Sequence, residues 1–463
     1  MMSRSSSSNT SSARADRWSY AAAALIFIYF FWQIHFGLSM LFAPDDMQNM
    51  YGYWLEGPLK VFRSAVLCAT PAYRPMGGLY YLPLFAVFGL NPTPYRIVVF
   101  ALLSFNFWLL YAVARRLTSN VMAALFGLLI GCVHGNAIGI YFSNSTVYDI
   151  LCFAFYFSAL LYYVRVRQDN RYLNWRDLLI VALLYICALD SKEMAVAFPA
   201  AILFYEIFFH WNTRPNPRRL IPVLVIGVMT AIFLAGKLLQ PNSLSTFDAY
   251  RPVYTVQRFA MNLRAYLDIL FLVENRFTTA MAMAFWIAML AAARVFRSNV
   301  MLFAACLAFV SFLPLMFVPT REGFVLYMPL VGFGLYFGEL LSLMFRPRAV
   351  AVAALLAVAL GLGYAQHRRI QEILPFSWHA QQGTFDTIQE LKLAKGIKPG
   401  DRLLFVDSPW GDDWDMYFIA KLFFRDQSIR ISLFDTGKPI RGDETERFDH
   451  RFYWFTGQFI QEK

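Results

Sequence analysis

Residues 177–210 read DLLIVALLYICALDSKEMAVAFPAAILFYEIFFH, one apolar stretch broken near its middle by Asp190-Ser191-Lys192-Glu193. The stretch has room for two membrane crossings of about 17 residues each. A charge at the centre of a span costs roughly 2.5–3.5 kcal/mol on insertion scales. Three charges in four residues therefore belong at a turn between two spans, at the membrane surface or in a watery cavity. An ordinary polar hairpin satisfies the same pattern.

Composition points the same way. The 463 residues are 58% hydrophobic, 18% aromatic and only 15% charged, with a mean hydropathy of +0.46. Soluble domains carry about 25% charged residues. The net charge of +11 does not indicate nucleic acid, because the excess sits in short clusters between apolar stretches rather than on one folded face. These clusters are Arg4/Arg14/Arg17, Arg115-Arg116, Arg165/Arg167/Arg171/Arg176, Arg214/Arg218/Arg219, Arg294/Arg297 and Arg346/Arg348.

Placing all six clusters in the cytoplasm forces pairs of spans between them. Hydropathy supplies such pairs at about 20–42, 94–114, 120–138, 146–164, 177–190, 193–210, 220–237, 276–293, 299–318, 324–345 and 349–365. The fold class expected is an all-α polytopic membrane protein of about 11 transmembrane helices, N-terminus inside and C-terminus outside, carrying a small C-terminal α/β domain. The Ser-rich residues 1–18 read as a disordered cytoplasmic tail, 19–365 as the membrane domain and 366–463 as the α/β domain. The first span is long and aromatic, an uncleaved anchor rather than a signal peptide.

Two outer loops are large, about 43–93 and 238–275, and each contains an interfacial helix. In the tail a strand is expected at Arg402–Val406, an amphipathic helix at Trp414–Phe424 and a second strand near Ile429–Phe434. The cysteines Cys68, Cys132, Cys152, Cys187 and Cys306 lie mostly in apolar stretches without metal-ligand spacing. They read as small buried hydrophobes.

The chemically loaded residues lie at the outer ends of the spans. Asp45-Asp46 follows Pro44 directly after the first span. An N-cap explains one acid there, not two. Asp149 opens the fourth span region, where it also suits a cap, and His134 ends the third, where a lone histidine is most often a structural hydrogen-bonding group. Arg74, Lys192, Arg251 and Arg321 run against the positive-inside bias. Phosphate is the anion they suit, since Arg binds it bidentately and Lys as a point charge. Snorkelling to lipid headgroups accounts equally well for any one of them taken singly.

In order, these motifs resemble the GT-C superfamily of polyprenyl- or dolichyl-phosphate-sugar glycosyltransferases, in particular its protein O-mannosyltransferase-like branch. The matching stretches are Asp45-Asp46; Tyr73-Arg74-Pro75 with Phe88-Gly89-Leu90-Asn91-Pro92 and Tyr95-Arg96; Val133-His134 leading to Asp149; Ser191-Lys192-Glu193 with Pro199; and, loosely, Arg321 with Tyr327-Met328-Pro329. The tetratricopeptide repeats of that branch are not found, and the C-terminal tail matches none of its motifs.

The resemblance implies transfer of a sugar from a polyprenyl-phosphate donor to a hydroxyl of a protein or glycolipid, with inversion, on the periplasmic or lumenal face. Asp45 or Asp46 is then the general base, Asp45 the first choice. Arg321, Lys192 and Arg74 meet the leaving phosphate. Asp149 and Glu193 are further acids that position the acceptor, while His134 and Arg251 are subsidiary candidates. No ligand spacing demands a metal and none is expected, although magnesium or manganese would suit such carboxylates. A bacterial inner membrane fits, and an endoplasmic reticulum membrane has equivalent topology. The rivals are a lipid-linked glycan flippase or transporter, a glycan polymerase or ligase, and a membrane scaffold. A transporter would place its charges near the midplane and show repeated halves.

Overall fold

The computed structural model describes residues 7–66, 74–118, 120–210, 217–239, 248, 251–408, 414–434, 448–455 and 458–462. Helix starts fall where the sequence supplies caps. Helix α4 (Pro92–Leu117) opens on the Asn91 side chain and a proline at its first turn. Helix α8 (Trp175–Ser191) opens on a reciprocal Asn174/Asp177 capping box. Such caps satisfy backbone N–H groups that have no partner inside the helix.

The chain begins with α1 (Ser7–Ile34), α2 (Pro44–Val66) and α3 (Pro75–Phe88). After α4 come α5 (Val121–Gly131), α6 (Ile138–Phe142) and α7 (Val147–Gln168). Following α8 are α9 (Phe198–His210), α10 (Leu220–Leu238), α11 (Val256–Leu270), α12 (Thr279–Val295), α13 (Asn299–Phe312), α14 (Pro329–Met344) and α15 (Arg348–Leu391). Six helical segments among the described residues are long and apolar enough to cross a membrane: Trp18–Ser39, Pro92–Leu117, Val147–Gln168, Glu193–His210, Pro217–Leu238 and Arg348–Leu391. The pair Val121–Gly131 and Gly135–Phe142, bent by 53°, makes a seventh if it counts as one span. The chain is an integral, multi-pass membrane protein.

Each of the eleven expected segments coincides with a helix, but length does not confirm eleven spans. Helices α8, α12, α13 and α14 have 17 residues or fewer. Some reach further only through flanking 3₁₀ turns, such as Leu313–Leu315 after α13 and Gly323–Tyr327 ahead of α14.

Close packing in the bundle uses small residues, which let backbones approach where lipid supplies no hydrophobic drive. A Cβ on Gly338 would sit 2.5 Å from the Ala123 carbonyl, and one on Gly334 2.5 Å from the Gly127 carbonyl, so α5 and α14 touch backbone to backbone. At the bundle's arginine end, Arg167 Nε lies 2.6 Å from Glu206 Oε1, which also accepts from Tyr163 at 2.8 Å. The chemically loaded residues lie at the opposite end, where α4 and α7 begin.

Two expectations are corrected. The Ser-rich start is not wholly unstructured, since α1 reaches back to Ser7. Residues 7–18 contain no proline or glycine to stop a helix that the span has nucleated. Nor is there a boundary at Gln366, because α15 runs unbroken for 44 residues to Leu391. Polar side chains beyond the span hold it in place. Gln366 accepts the Gly135 N–H. Gln381 accepts the Leu41 N–H at 2.8 Å and donates to the Phe142 carbonyl at 2.7 Å.

Beyond α15, the expected β1 (Arg402–Val406), α16 (Trp414–Phe424) and β2 (Arg430–Phe434) are present. They are joined by β3 (His450–Phe455) and β4 (Gln458–Glu462). The sheet order is β2-β1-β3-β4, with β1 parallel to both neighbours and β4 antiparallel to β3. The segments 43–93 and 238–275 contain helices α3 and α11 at the places where a helix is expected.

Candidate active site

The entry to α2 decides what its two acids can do. Pro44 takes the first helical position, and Asp46 reaches back to accept the Ala43 N–H at 2.8 Å. This is the acidic half of a capping box. Ser143 Oγ donates to the other oxygen of Asp46 at 3.4 Å. Asp46 is fully buried. Burial pushes its carboxyl up to about 7, against the Ala43 N–H and the Arg96 guanidinium, which favour the charged form. Arg96, also fully buried, donates to the carbonyls of Gly37 and Tyr141 and to Asn144. One acid of the pair is thus the cap that the local pattern allows. Asp45 is left exposed beside it, its carboxyl held above the ordinary carboxylate range by the surrounding protein.

The C-terminal segment comes to the same place. Helix α16 packs on α2 through Tyr51, whose ring lies 5.6 Å from that of Tyr417 and 5.1 Å from that of Phe418. Asp415, in the first turn of α16, is half-buried. Burial and the charge of Asp45 push its carboxyl up to about 6.

The predicted cations gather in a cavity of about 340 Å³, where Arg74, Lys192 and Arg321 share the lining with Glu193 and with Lys237 at the end of α10. Phe233, Leu234, Tyr254, Phe317 and Phe324 supply much of the apolar wall. Arg74 caps α3 in a left-handed conformation, φ 43°, just before Pro75. Its guanidinium grips Glu193 through two hydrogen bonds of 3.1 and 3.4 Å. It also lies 5.1 Å from the centre of the Tyr148 ring. Lys192 Nζ is bonded to both oxygens of Asp149, at 2.6 and 2.5 Å, and stands 4.6 Å from the Phe324 ring.

Tyr148 stands between Asp46 and Arg74. Its hydroxyl bonds to Tyr53 at 3.2 Å, and Tyr53 donates to the Arg74 carbonyl at 2.8 Å. Asp46 and Arg74 both lie close enough to act on that hydroxyl electrostatically.

Two subsidiary candidates fall outside this constellation. The ring nitrogens of His134 are engaged by the Leu270 carbonyl at 2.9 Å and the Asn136 N–H at 3.3 Å, a purely structural pairing. Arg251 is exposed and does not line the cavity, although its neighbour Pro252 does. Asp149 and Glu193 are not open acids: each is paired with a cation of the same site. Tyr73 and Cys68 lie outside the described residues.

Sequence reasoning passed over Lys237 and Asp415. A lysine at the span end away from the arginine clusters runs against the expected positive-inside orientation just as Arg74 does, and that signal was available for Lys237. Asp415 had only an acidic, tryptophan-containing neighbourhood to mark it.

Residues 73–236 match a family model described as dolichyl-phosphate-mannose-protein mannosyltransferase. That range begins at the Tyr73-Arg74-Pro75 motif and contains Asp149, Lys192 and Glu193, and it bears out the resemblance seen in the order of motifs. Among solved structures, the chain is similar to the oligosaccharyltransferase of Archaeoglobus fulgidus in its apo form, at 9% identity and a TM-score of 0.52. The likeness covers 89% of this chain and 64% of that one, so this chain spans somewhat under two thirds of it. It is also similar to ArnT from Cupriavidus metallidurans in the apo state, at 14% identity and a TM-score of 0.49, over 91% of this chain and 86% of that one. No curated protein matches the sequence. The first likeness establishes a shared fold, and fold alone does not fix an activity.

Proposed function

We propose that this chain is a membrane glycosyltransferase that moves a sugar from a polyprenyl-phosphate donor to an acceptor hydroxyl, with inversion, at the end of the bundle away from its arginine clusters. The carrying observation is the cavity where Arg74, Lys192, Lys237 and Arg321 meet within apolar walls. A prenyl phosphate needs both features together: cations for its phosphate and a greasy wall for its chain. In such a partly dry site cations stabilise a departing phosphate far more than they do in water.

Asp45 is the base in this reading. Asp46 is committed to the Ala43 N–H and to Ser143, whereas Asp45 is exposed, and the upward shift of its carboxyl makes its ionised form a better proton acceptor. The acceptor oxygen loses its proton to Asp45 as it attacks the anomeric carbon from the face opposite the phosphate. Asp149 and Glu193 serve by holding Lys192 and Arg74 in place rather than by touching the acceptor. The full topology is eleven spans with the N-terminus inside. The site then faces the periplasm of a bacterial inner membrane, or the lumen in the equivalent endoplasmic reticulum arrangement. The transferred sugar is a hexose or pentose, and the acceptor a protein or glycolipid.

The test is incubation of the purified protein with a panel of radiolabelled polyprenyl-phosphate hexoses and pentoses. Release or transfer of label from one donor supports the proposal. A panel that stays intact, with acceptor extracts present, sinks it.

A further inference from the structure

A second cavity opens at the outer end of the bundle and shares no lining residue with the one that gathers Arg74, Lys192, Lys237 and Arg321. It holds about 440 Å³, within the roughly 300–1,000 Å³ usual for small-molecule sites. Its walls come from distant parts of the chain. They are Phe42 after the first span, Gly89 to Pro92 at the start of α4, α15 between Thr384 and Lys392, and the end of α16 with Arg425. The segments Trp18–Ser39 and Pro92–Leu117, each long enough to cross a membrane, both end beside it. The cavity therefore lies at the depth where lipid headgroups meet the bundle.

Its chemistry is one-sided. Phe42, Leu90, Ile388 and Phe423 supply apolar wall, and Lys392 and Arg425 stand on it with no acid among the described lining residues. Lys392 Nζ donates to Gln389 at 2.9 Å, which takes one of its three N–H groups. Arg425 has a left-handed backbone, φ 52°. Its guanidinium lies 5.2 Å from the centre of the Phe85 ring and donates to the Phe85 carbonyl at 3.4 Å. Gly89 makes the room: a Cβ there would stand 2.8 Å from that guanidinium, and a φ of 57° suits glycine. The Phe88-Gly89-Leu90-Asn91-Pro92 motif is thus shaped around an arginine from the far end of the chain. Thr384, on the α15 wall, is fully buried, and its hydroxyl has no hydrogen-bond partner among the described residues. Buried hydroxyls are normally satisfied, and a ligand oxygen on this wall would supply the partner.

We propose that this cavity is a second lipid site, which takes the phosphate headgroup of an anionic amphiphile between Lys392 and Arg425. Arg meets phosphate oxygens with its fork of N–H groups and Lys meets them as a point charge. The chain of the lipid runs out over Val87 and Phe88, which are exposed on α3 beside Gly89. Two sources carry this chemistry, a bilayer phospholipid and a phosphorylated glycolipid. Neither depends on the donor assignment, since no residue of the donor cavity takes part.

The experiment titrates the full-length protein in detergent with a diazirine-bearing phosphatidic acid and, as a zwitterionic control, its phosphatidylcholine counterpart. Labelled peptides are quantified by mass spectrometry after irradiation. Wild type should be labelled within 384–392 or 422–425, at lower concentrations of phosphatidic acid than of phosphatidylcholine. Arg425→Gln and Lys392→Gln should each raise the half-saturating phosphatidic acid concentration there by about tenfold or more, the range for a hydrogen bond to a charged group. Arg425→Lys should keep most of the affinity, because charge rather than packing sets it. Labelling confined to the donor cavity, or a titration unmoved by both Gln variants, overturns the proposal. So does an equal loss in Arg425→Lys, which would mark a packing effect. Lipid that co-purifies with wild type and is missing from Arg425→Gln identifies the source by its mass, as a diacyl phospholipid or as one bearing sugar residues. This readout uses no donor. A site confirmed here beside an intact donor panel would stand while the glycosyltransferase reading falls, and the reverse result removes this site alone.

Discussion

Lys192 spends its charge on Asp149: the ammonium lies 2.6 and 2.5 Å from the two carboxylate oxygens, and both residues are buried. The pair ties the first turn of α7 to the turn after α8 and holds Lys192 on the cavity wall. Removing one partner of a buried pair leaves an uncompensated charge, which typically costs about 3–5 kcal/mol. Lys192→Met should therefore lower stability by that order, measured as thermal unfolding in detergent. Lys192→Met combined with Asp149→Leu should recover most of the loss. A single mutant as stable as wild type would mean that the pair is not formed.

The base assignment makes an asymmetric prediction about adjacent acids. Asp45→Asn should reduce sugar transfer at least about a hundredfold, the low end for general-base catalysis, with donor binding unchanged. Asp46→Asn keeps an oxygen that can accept the Ala43 N–H, so the α2 start survives and the loss should be much smaller. Steady-state kinetics with the donor identified by the panel decides it. The reverse order of effects would hand the role to Asp46.

Asp46 also predicts a pH dependence of stability. Its folded carboxyl is lifted from 3.8 to about 7, chiefly by burial. The protonated form is thus favoured in the fold, and the folded state binds the extra proton. The contribution is complete below about pH 4 and is lost as pH rises through about 7, for a swing on the order of 4 kcal/mol. Melting temperature should fall across that window in wild type and fall less in Asp46→Asn. Parallel melting profiles would contradict the burial argument.

How much of this was legible beforehand depends on where each signal lives. Asp190-Ser191-Lys192-Glu193 stood out because charges inside an apolar run carry a large local cost, and Arg74 and Arg321 stood out against the orientation rule. Strand β1 and helix α16 were visible because their periodicity is local. Strands β3 and β4 were not: β3 pairs with β1 across a long polar segment, and five- or six-residue strands carry little pattern of their own. Lys237 closes the expected span 220–237, and the orientation rule that marked Arg74 and Arg321 marks it too once it is counted as a residue of that span end. Asp415 needed knowledge that α16 lands on α2, a contact between opposite ends of the chain that no window of sequence contains. The unbroken α15 defeated a boundary drawn from composition, since polarity changes at Gln366 while helix-forming residues continue.

The cavity predicts a common loss from separate cations. Lys237→Met and Arg321→Ala should each weaken binding of a short polyprenyl phosphate by about ten- to a hundredfold, the range for a hydrogen bond to a charged group. Titration calorimetry in detergent measures it directly. An unchanged Kd for both would leave them as side chains snorkelling to headgroups.

The course of α15 makes truncation informative at two positions. A cut after Gln366 removes Gln381, which bonds to both Leu41 and Phe142, and so releases the segment that leads to Asp45. That protein should lose donor binding and stability together. A cut after Leu391 keeps Gln381 and removes only the sheet and α16, which uncovers Tyr51 and takes away Asp415. Donor binding should then persist while transfer to acceptor falls at least about tenfold, roughly 1.4 kcal/mol in the barrier. Gel filtration, donor titration and transfer assays on the two proteins distinguish these outcomes. Equal donor binding in both would show that α15 beyond the span is a tether rather than part of the site's frame.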